Sequence, residues 1–539
     1  MKILMIMLLI GGAFCSADLA AQSSLTRGES DWHDFEYVKQ SDAWLTSENA
    51  AGLQYLPVDR ISFAEVYFDK NNGRFVNYYQ SNDSYEFGAR TESFLRLNPR
   101  IVFYGKVNYG NFKGKNMGGS VFINPDYNAI DIVEFTENNQ GTKNIENYNL
   151  TGAVGINLTR KWAVGGKIDY RTANYAKFKD LRHFNKLLDL SATVGFSYKF
   201  NETLEFGANY FYRRSVEGLE FELKGNTDRQ YASLISFGSF YGRTELFGGT
   251  TGYTEKDNNN PVFNEFNGAS LQVNLKLTGK LRFFNEFSYR SRKGYYGKRT
   301  PSSPVYTEHS SDIKSYSGAL VFENKRYRHF LKINADDESL ENFENIYNRE
   351  NSAGGSSDIV YYGNSKVFGK EEFNANIEYK FNPATADYNP PWILKAGADY
   401  HNQQRTTSLY PYYRKQTIRF SDVYISVNKN IINKMNKYDF SIGILYGSGG
   451  GTAKNDGAYV IPTDSQREPR SLDKSLYHEY EYLTAARVNG NIGLGYSRRL
   501  KSGIRGYVRI NYGLTNAFKI SYIEKKIANL AILTAGCNF

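Results

Sequence analysis

The feature that most constrains the fold is an alternation of apolar and polar side chains that continues over unusually long stretches. Across residues 148–159, Tyr148, Leu150, Val154 and Ile156 fall on one set of alternate positions, while mainly asparagine and threonine fill the other. Alternate side chains of a β-strand point to opposite faces, so the pattern predicts a strand. Strands of soluble proteins average about five or six residues, whereas a tilted strand needs about ten to cross a bilayer. The length therefore predicts a membrane-spanning strand.

The same pattern recurs along the chain, and the connections between its segments alternate in length. Short turns such as Arg160-Lys161 and Asn201-Glu202 join some strands, and long polar stretches join others. The predicted long loops are residues 113–146, 216–267, 291–314, 336–369 and 448–480. Short turns at one end and long extracellular loops at the other are typical of outer-membrane barrels. We predict an all-β fold, a transmembrane antiparallel β-barrel of roughly 16–18 strands over residues 60–539, with about 14 strands also possible.

Composition supports a barrel rather than a bundle of membrane helices. The chain has 44 Tyr, 36 Phe and 48 Gly but only 12 Pro, and its mean hydropathy is −0.55. A barrel needs apolar residues at alternate positions only, so it remains polar on average. The aromatic residues cluster near the ends of the predicted strands, as in the girdles at the two membrane interfaces.

The N-terminus has the pattern of a secretory signal peptide. Lys2 is followed by an apolar run, and the small residues Ala20 and Ala21 precede Gln22. We predict a signal peptide over residues 1–21 with cleavage after Ala21, and hence export to the outer membrane. Cys15 lies in this leader, so the mature chain would keep the single thiol of Cys537, which excludes an internal disulfide.

The last segment, residues 529–539, alternates like the other strands and ends on Phe539. We predict that this strand pairs with the first strand and closes the barrel. Phe539 is then the C-terminal aromatic that the barrel-assembly machinery recognises in many outer-membrane proteins. The remaining surface would face outer-membrane lipid.

Charged side chains fall on the alternate positions opposite the apolar face, so they are the candidates for lining a pore. These candidates are Lys167, Asp169, Arg171, Glu205, Arg213, Glu286, Arg290, Lys395, Arg487, Arg505 and Arg509. They carry both signs with an excess of cations. Two interpretations remain open: a water-filled pore that favours anions, or a plugged lumen in which these charges pair with each other or with residues 22–59.

The sequence contains no motif that predicts chemistry. The six histidines are far apart, and none shows the spacing of a metal site. No local motif assembles a Ser/His/acid constellation, and no dense Lys/Arg cluster predicts nucleic-acid binding. We therefore expect no enzymatic activity, no metal and no cofactor.

Residues 22–59 do not alternate cleanly, and a family resemblance that spans most of the chain begins there. Trp44 with the stretch Ser47-Glu48-Asn49-Ala50-Ala51-Gly52-Leu53, followed by ISFAEVYFD and RTESFLRLN…VFYGKVNYG, resembles an uncharacterised family of Bacteroidota outer-membrane β-barrel proteins. The run Asn49, Ala50, Ala51, Gly52 and Leu53 is also similar to the Asn-Pro-Ala-Gly-Leu hatch motif of FadL-like transporters, except that Ala50 replaces the proline. These resemblances imply an outer-membrane barrel in which residues 22–59 form a lumen plug or a hatch.

The predicted function is a porin-like channel or accessory transporter for solute uptake across the outer membrane. Two alternatives stay open: a structural or interaction subunit of an outer-membrane complex, and a FadL-like transporter of hydrophobic compounds. By analogy with the resembling barrels, the partner would be a TonB-dependent receptor or another outer-membrane subunit. Residues 22–59 are too short to be the plug domain of a TonB-dependent transporter.

Overall fold

The computed structural model describes residues 32–539, apart from Thr136, Lys325 and residues 225–229, 257–258, 352–356, 384–388 and 501–502. The predicted signal peptide and residues 22–31 of the N-terminal segment lie outside the described residues. Among the described residues, no helix is long and apolar enough to span a membrane.

Eighteen antiparallel strands, counted over the described residues, form a closed barrel in which sequence neighbours pair. The barrel strands are β1 (Arg60–Gly73), β2 (Asp83–Asn98), β3 (Ile101–Met117), β5 (Gly141–Asn157), β6 (Trp162–Lys177), β7 (Arg182–Lys199), β8 (Leu204–Glu222), β11 (Asn260–Lys276), β12 (Leu281–Thr300), β13 (Ser303–Glu323), β14 (Tyr327–Asn351), β15 (Ser357–Pro383), β16 (Trp392–Leu409), β17 (Tyr412–Asn433), β18 (Asn436–Ala458), β20 (Arg487–Arg499), β21 (Arg505–Ala517) and β22 (Ile527–Asn538). The predicted all-β antiparallel barrel is confirmed at the top of the predicted range, and the 14-strand alternative is wrong.

A second, smaller sheet lies among the connections. It contains β4 (Asp131–Glu134), β9 (Ala232–Ser236), β10 (Tyr241–Leu246) and β19 (Arg470–Ser471), in the order β19-β10-β9-β4. The helices are α1 (Phe35–Lys39), α2 (Asp473–Thr484) and the 3-10 turns Ala43–Thr46, Ala50–Tyr55, Pro125–Tyr127 and Glu137–Asn139. We call the barrel end that holds the tight turns, such as the one between β2 and β3, the turn end. The opposite end, from which β4, β9, β10 and α2 arise, is the loop end.

The first and last strands close the barrel, as predicted. β22 pairs with β1 from Phe63↔Asn538 to Gly73↔Ala528. Beyond this ladder, the Phe539 N–H donates to the Ser62 carbonyl and the Ser62 N–H donates to the Phe539 carbonyl, each at 3.0 Å. The Arg60 guanidinium lies 5.5 Å from the centroid of the Phe539 ring. The terminal aromatic is therefore held at the seam of the barrel.

Alternate positions of the strands give the molecule an exposed apolar belt. Ile168, Val194 and Ile442 are 56–62% exposed, although each lies in the middle of a strand. Monomeric soluble proteins rarely expose contiguous apolar surface larger than about a few hundred Å². The predicted period-two pattern is confirmed, and its apolar face points outward.

Two of the predicted long loops are wrong. Residues 291–314 continue β12 and β13 as a ladder that reaches Thr300↔Ser303. Residues 336–369 likewise extend β14 and β15, and the pairing reaches Asn351↔Ser357 through two β-bulges. Both faces of these extensions are largely polar, so no apolar alternation marks them as strands, whereas their backbone hydrogen bonds continue unchanged.

Candidate functional site in the barrel lumen

Residues 32–59, here called the inner segment, pack inside the turn end of the barrel. Trp44 anchors the segment and is 1% exposed. Its indole Nε1–H donates to Glu205 Oε2 at 3.3 Å. Its ring stacks on Tyr55 with centroids 5.9 Å apart and meets the edge of Phe284 at 5.1 Å. A buried aromatic of this size contributes strongly to packing, so Trp44 fixes the segment against β8 and β12.

Asn49 bonds the inner segment to the barrel backbone. Its Oδ1 accepts from the Ala51 N–H at 3.1 Å and so caps the 3-10 turn that follows. Its Nδ2 donates to the Phe196 and Ala208 carbonyls at 2.8 and 3.2 Å, and to Gln272 Oε1 at 3.0 Å. The remaining hatch candidates, Ala50, Ala51, Gly52 and Leu53, form this buried turn. The structure thus brings the five predicted residues together on the inner wall.

Four glycines leave room for the inner segment on the wall formed by β5 to β8. A Cβ at Gly165 would lie 2.2 Å from Ala51 N, and one at Gly195 would lie 2.5 Å from Asn49 Oδ1. The corresponding clashes are 2.6 Å with Trp44 at Gly207 and 2.8 Å with Ala50 at Gly155. Approaches this short exclude any side chain, so the wall is shaped to hold this segment. Sequence reasoning missed this cradle, although these glycines stand at inward-facing alternate positions.

Ion pairs and charged hydrogen bonds hold the inner segment against β12, β14 and β15. Arg282 Nη1 lies 2.8 Å from Asp42 Oδ2, and Arg290 forms an ion pair with Glu48. Arg328 Nη2 donates to the Ser41 carbonyl at 2.5 Å. In a setting shielded from water, hydrogen bonds to charged groups are stronger than neutral ones.

The small sheet and α2, together called the roof, cover the loop end. Val133, Leu234, Phe240 and Leu476 form one buried cluster that joins the sheet to the helix. The fully buried side chain of Arg414 on β17 anchors the roof to the wall. Its guanidinium donates to Asp456 at 2.7 and 2.8 Å, to the Ser239 carbonyl at 3.1 Å and to Ser471 Oγ at 2.7 Å. Both ends of the lumen are therefore occupied by protein.

Asp131 makes the packing of the roof depend on pH. Its carboxylate accepts from Ser120 Oγ at 2.5 Å and from Tyr78 Oη at 2.9 Å. Burial raises the pKa of Asp131 from 3.8 to about 6. Because the folded-state pKa lies above the unfolded value, the contribution of Asp131 to roof stability is complete below about pH 4 and is lost as the pH rises through about 6. We expect the amides of β4 and β9 to exchange hydrogen faster at pH 7.5 than at pH 5, after correction for intrinsic exchange.

The matched control for this prediction is Asp131→Asn, which keeps the acceptor oxygen and removes the titration. The pH dependence should become smaller in this variant, and what remains comes from Glu479 and Glu217, whose pKa values burial raises to about 7. Equal corrected exchange at both pH values in the wild type would contradict the prediction.

The two larger cavities that the described residues leave in the lumen lie against the wall formed by β20–β22 and β1–β3. The upper cavity, of about 650 Å³, lies toward the loop end and extends to β5 and β6. Its lining includes Asn71, Tyr79, Glu86, Arg171, Tyr482 and Asn489. The lower cavity, of about 290 Å³, lies toward the turn end, and its lining includes Trp32, Glu36, Arg90, Lys106, Tyr507 and Arg509.

A chain of polar contacts connects the two cavities. Tyr67 Oη donates to Glu86 Oε1 of the upper cavity at 2.7 Å. The Arg90 guanidinium lies 5.7 Å from the Tyr67 ring and pairs with Glu65 in the lower cavity. Gly88 and Gly110 leave the space in which the Tyr67 side chain lies along the wall. The polar surface is therefore continuous between the cavities.

Most of the sequence-predicted lining residues contact partners on the inner wall or the inner segment. The ion pairs are Lys167–Asp169 at 3.1 Å, Arg213–Asp189 at 2.6 Å, Arg487–Asp422 at 2.7 Å, Arg290–Glu48 and Lys395–Glu378. Glu205 accepts from Trp44, Glu286 accepts from the Glu48 N–H at 3.3 Å, and Arg505 donates to the His33 carbonyl at 3.1 Å. Arg171 donates to Asn147 Oδ1 at 2.9 Å, and Arg509 lies 4.7 Å from the Tyr507 ring. Sequence reasoning did not select Lys106 or Glu86, which line the same cavities.

Comparisons with known proteins give a family and a set of distant structures. A family model described as "Family of unknown function (DUF6850)" matches residues 50–539. No curated protein matches the chain. The similar structures include BauA, the ferric preacinetobactin receptor of Acinetobacter baumannii, at a TM-score of 0.41 and 9% identity, with 89% of this chain and 79% of that chain covered. The FrpB iron transporter of Neisseria meningitidis has a TM-score of 0.36 and 7% identity, with 92% and 84% covered. At these values, nothing about the activity of this chain follows from them.

Proposed function

This chain belongs to the DUF6850 family of unknown function, and we propose that it is an outer-membrane barrel that moves a solute through a lumen closed at rest. The apolar belt lies in the lipid, the turn end faces the periplasm and the loop end faces outward. The predicted signal peptide agrees with this placement.

The observation that supports transport is the position of the two cavities. They lie one above the other on the wall of β20–β22 and β1–β3, whereas residues 41–55 are held on other walls, by β5–β8 and by β12 and β14. A solute would therefore follow the cavity-lined wall once the roof and the start of the inner segment move. A static scaffold has no need for two cavities joined by a polar surface.

The alternatives are less well supported. A permanently open pore conflicts with a lumen occupied at both ends. A FadL-like route would use space beside residues 41–57, but the upper and lower cavities are lined by other residues. A subunit role, with a TonB-dependent receptor or another outer-membrane protein as partner, is the second candidate, because the inner segment enters from the periplasmic end, where a partner can reach it.

The test is conductance of the purified full chain in planar bilayers. Without denaturant we expect a closed protein. About 4 M urea should release the short inner segment and the roof while the closed barrel persists, because the barrel strands are joined by continuous backbone ladders. Conductance should then rise severalfold and fall again when urea is removed. Silence in urea while the barrel remains folded, or stoichiometric co-purification with one outer-membrane partner, would favour the subunit role.

A further inference from the structure

The upper cavity carries two opposite charges that lack counter-ions. Within the part of the chain that the structure describes, the side chain of Arg171 forms no ion pair within 4 Å and donates only its Nε–H, to Asn147. Glu86 likewise has no cation within 4 Å and accepts only from the Tyr67 hydroxyl. Both residues line the cavity. Both side chains are only partly buried, so each charge is available to an ionic group of a ligand that enters the cavity.

The neighbouring charges do not neutralise this pair. Arg487, the other guanidinium of the cavity, is held by two bonds to Asp422 at 2.7 and 2.8 Å. The Glu217 carboxylate lies near Arg171 but accepts from the Ile123 N–H at 3.0 Å and from Asn185. Asp189, directly across from Arg171, is held by Arg213 through two bonds at 2.8 and 2.6 Å. Asp69 stands directly across from Glu86, and its Oδ1 has no hydrogen-bond partner among the described residues, so it adds to the negative charge there. The cavity therefore presents an unpaired cation at Arg171 and an unpaired negative charge at Glu86.

The strand register fixes how far apart these charges stand. Glu86 is level with Phe112, Ile145 and Tyr175 across β2, β3, β5 and β6, and Arg171 lies four residues from Tyr175 toward the turn end. Three strand spacings across and four residues along place the two Cα atoms about 19 Å apart. Both side chains point inward and reduce the gap between the charges by several ångströms. An extended peptide of about four residues spans about 13 Å between its ends.

The rest of the lining suits a peptide backbone. Amide side chains stand around the cavity at Asn71, Gln80, Asn147, Asn489 and Asn529. Each amide offers both a donor and an acceptor, the pair that a peptide group needs. Phe75, Tyr79, Phe112 and Tyr482 add aromatic surface for side chains of varied size.

We propose that the upper cavity binds a short zwitterionic peptide, with its carboxylate on Arg171 and its ammonium on Glu86. This inference rests on the proposed function and names the class of solute. An Arg guanidinium can bind a carboxylate through two parallel bonds, and the Glu86 carboxylate can accept from an ammonium. A cavity of about 650 Å³ accommodates a peptide of about four small residues.

The experiment measures binding of three matched probes to the full chain in detergent by isothermal titration calorimetry. The probes are tetra-alanine, N-acetyl-tetra-alanine without the ammonium, and tetra-alanine amide without the carboxylate. For the wild type, we expect acetylation and amidation each to weaken binding about tenfold, the factor expected when one charged contact is lost. In Arg171→Gln, tetra-alanine amide should bind less than about twofold more weakly than tetra-alanine. In Glu86→Gln, N-acetyl-tetra-alanine should likewise bind less than about twofold more weakly than tetra-alanine.

The matched control is Arg419→Gln. Arg419 also lies on a strand and donates its Nε–H to an asparagine at 2.9 Å, but it is exposed on the outer face. Its replacement should leave all three affinities unchanged. Equal affinity of the wild type for the three probes, loss of discrimination in the control, or no binding of any probe would overturn the proposal. Because binding is measured without conductance, a failure here is separate from a failure of the urea test.

Discussion

Replacing Gly165 with valine is expected to lower the urea concentration at which the protein begins to conduct. A Cβ at this position would lie 2.2 Å from Ala51 N and 2.3 Å from Ala50 C, so the inner segment must shift away from β6. Overpacking of this kind costs about 1–3 kcal/mol, which raises the population of the released segment about 5- to 150-fold. Valine favours a strand, so the barrel itself should tolerate it. The measurement is open time in planar bilayers in urea, which loosens the roof equally in the variant and the wild type.

Gly166→Val is the matched control, because it adds the same side chain to the adjacent residue of β6. A Cβ at Gly166 points away from the inner segment and meets only the Thr193 carbonyl at 4.0 Å. This variant should stay as closed as the wild type. Far-UV circular dichroism should show that both variants keep the barrel. Equal open times in folded samples of both variants would show that the segment does not close the lumen.

Truncating Trp44 is expected to free the inner segment without altering the barrel. Trp44→Ala removes the contacts with Tyr55 and Phe284 and leaves a void among Ala319, Val321 and Phe330. Large-to-small changes of this type cost about 3–5 kcal/mol. Glu205 also loses the indole donor. Hydrogen exchange of residues 43–55 should accelerate more than about 100-fold, while that of β8 and β12 stays slow.

Trp162→Ala provides the comparison for this prediction. Trp162 is 44% exposed on the outer face, so its loss leaves no cavity in the lumen. Exchange of the inner segment should match that of the wild type. If Trp44→Ala leaves the segment equally protected, the ion pairs of Asp42 and Glu48 rather than the aromatic anchor hold it.

Much of the barrel could be predicted because its pattern is local. The apolar alternate positions in residues 148–159 identify the outward face of β5. The same alternation identifies the outward face of the closing strand that ends at Phe539. Prediction failed for residues 291–314 and 336–369, where the strands continue beyond the apolar belt. There the inward face mixes polar residues with scattered aromatics that pack against the connections, such as Tyr296 and Tyr306, so no regular hydrophobic period distinguishes a strand from a loop.

The candidate site could be predicted only in part. The alternation placed Arg171 and Arg487 on the inner face, but it could not tell that Asp422 neutralises Arg487 and that no carboxylate pairs with Arg171 among the described residues. The hatch motif identified Asn49 as a candidate, but its hydrogen-bond partner Gln272 lies 223 residues away in the sequence. No local pattern encodes contacts over such separations, because they depend on which strands the closed barrel brings to face one another.

The sequence by itself determined an antiparallel barrel with an apolar outer face and a last strand that pairs with the first, since side-chain direction in a strand follows from position alone. Only the tertiary structure decided that the lumen is occupied, and by which residues. Gly155, Gly165, Gly195 and Gly207 become a cradle only when residues 44–51 lie against them. The unpaired charges of Arg171 and Glu86 become a possible site only because the cavity holds both. These properties depend on packing between distant segments, whereas the barrel depends on a period of two.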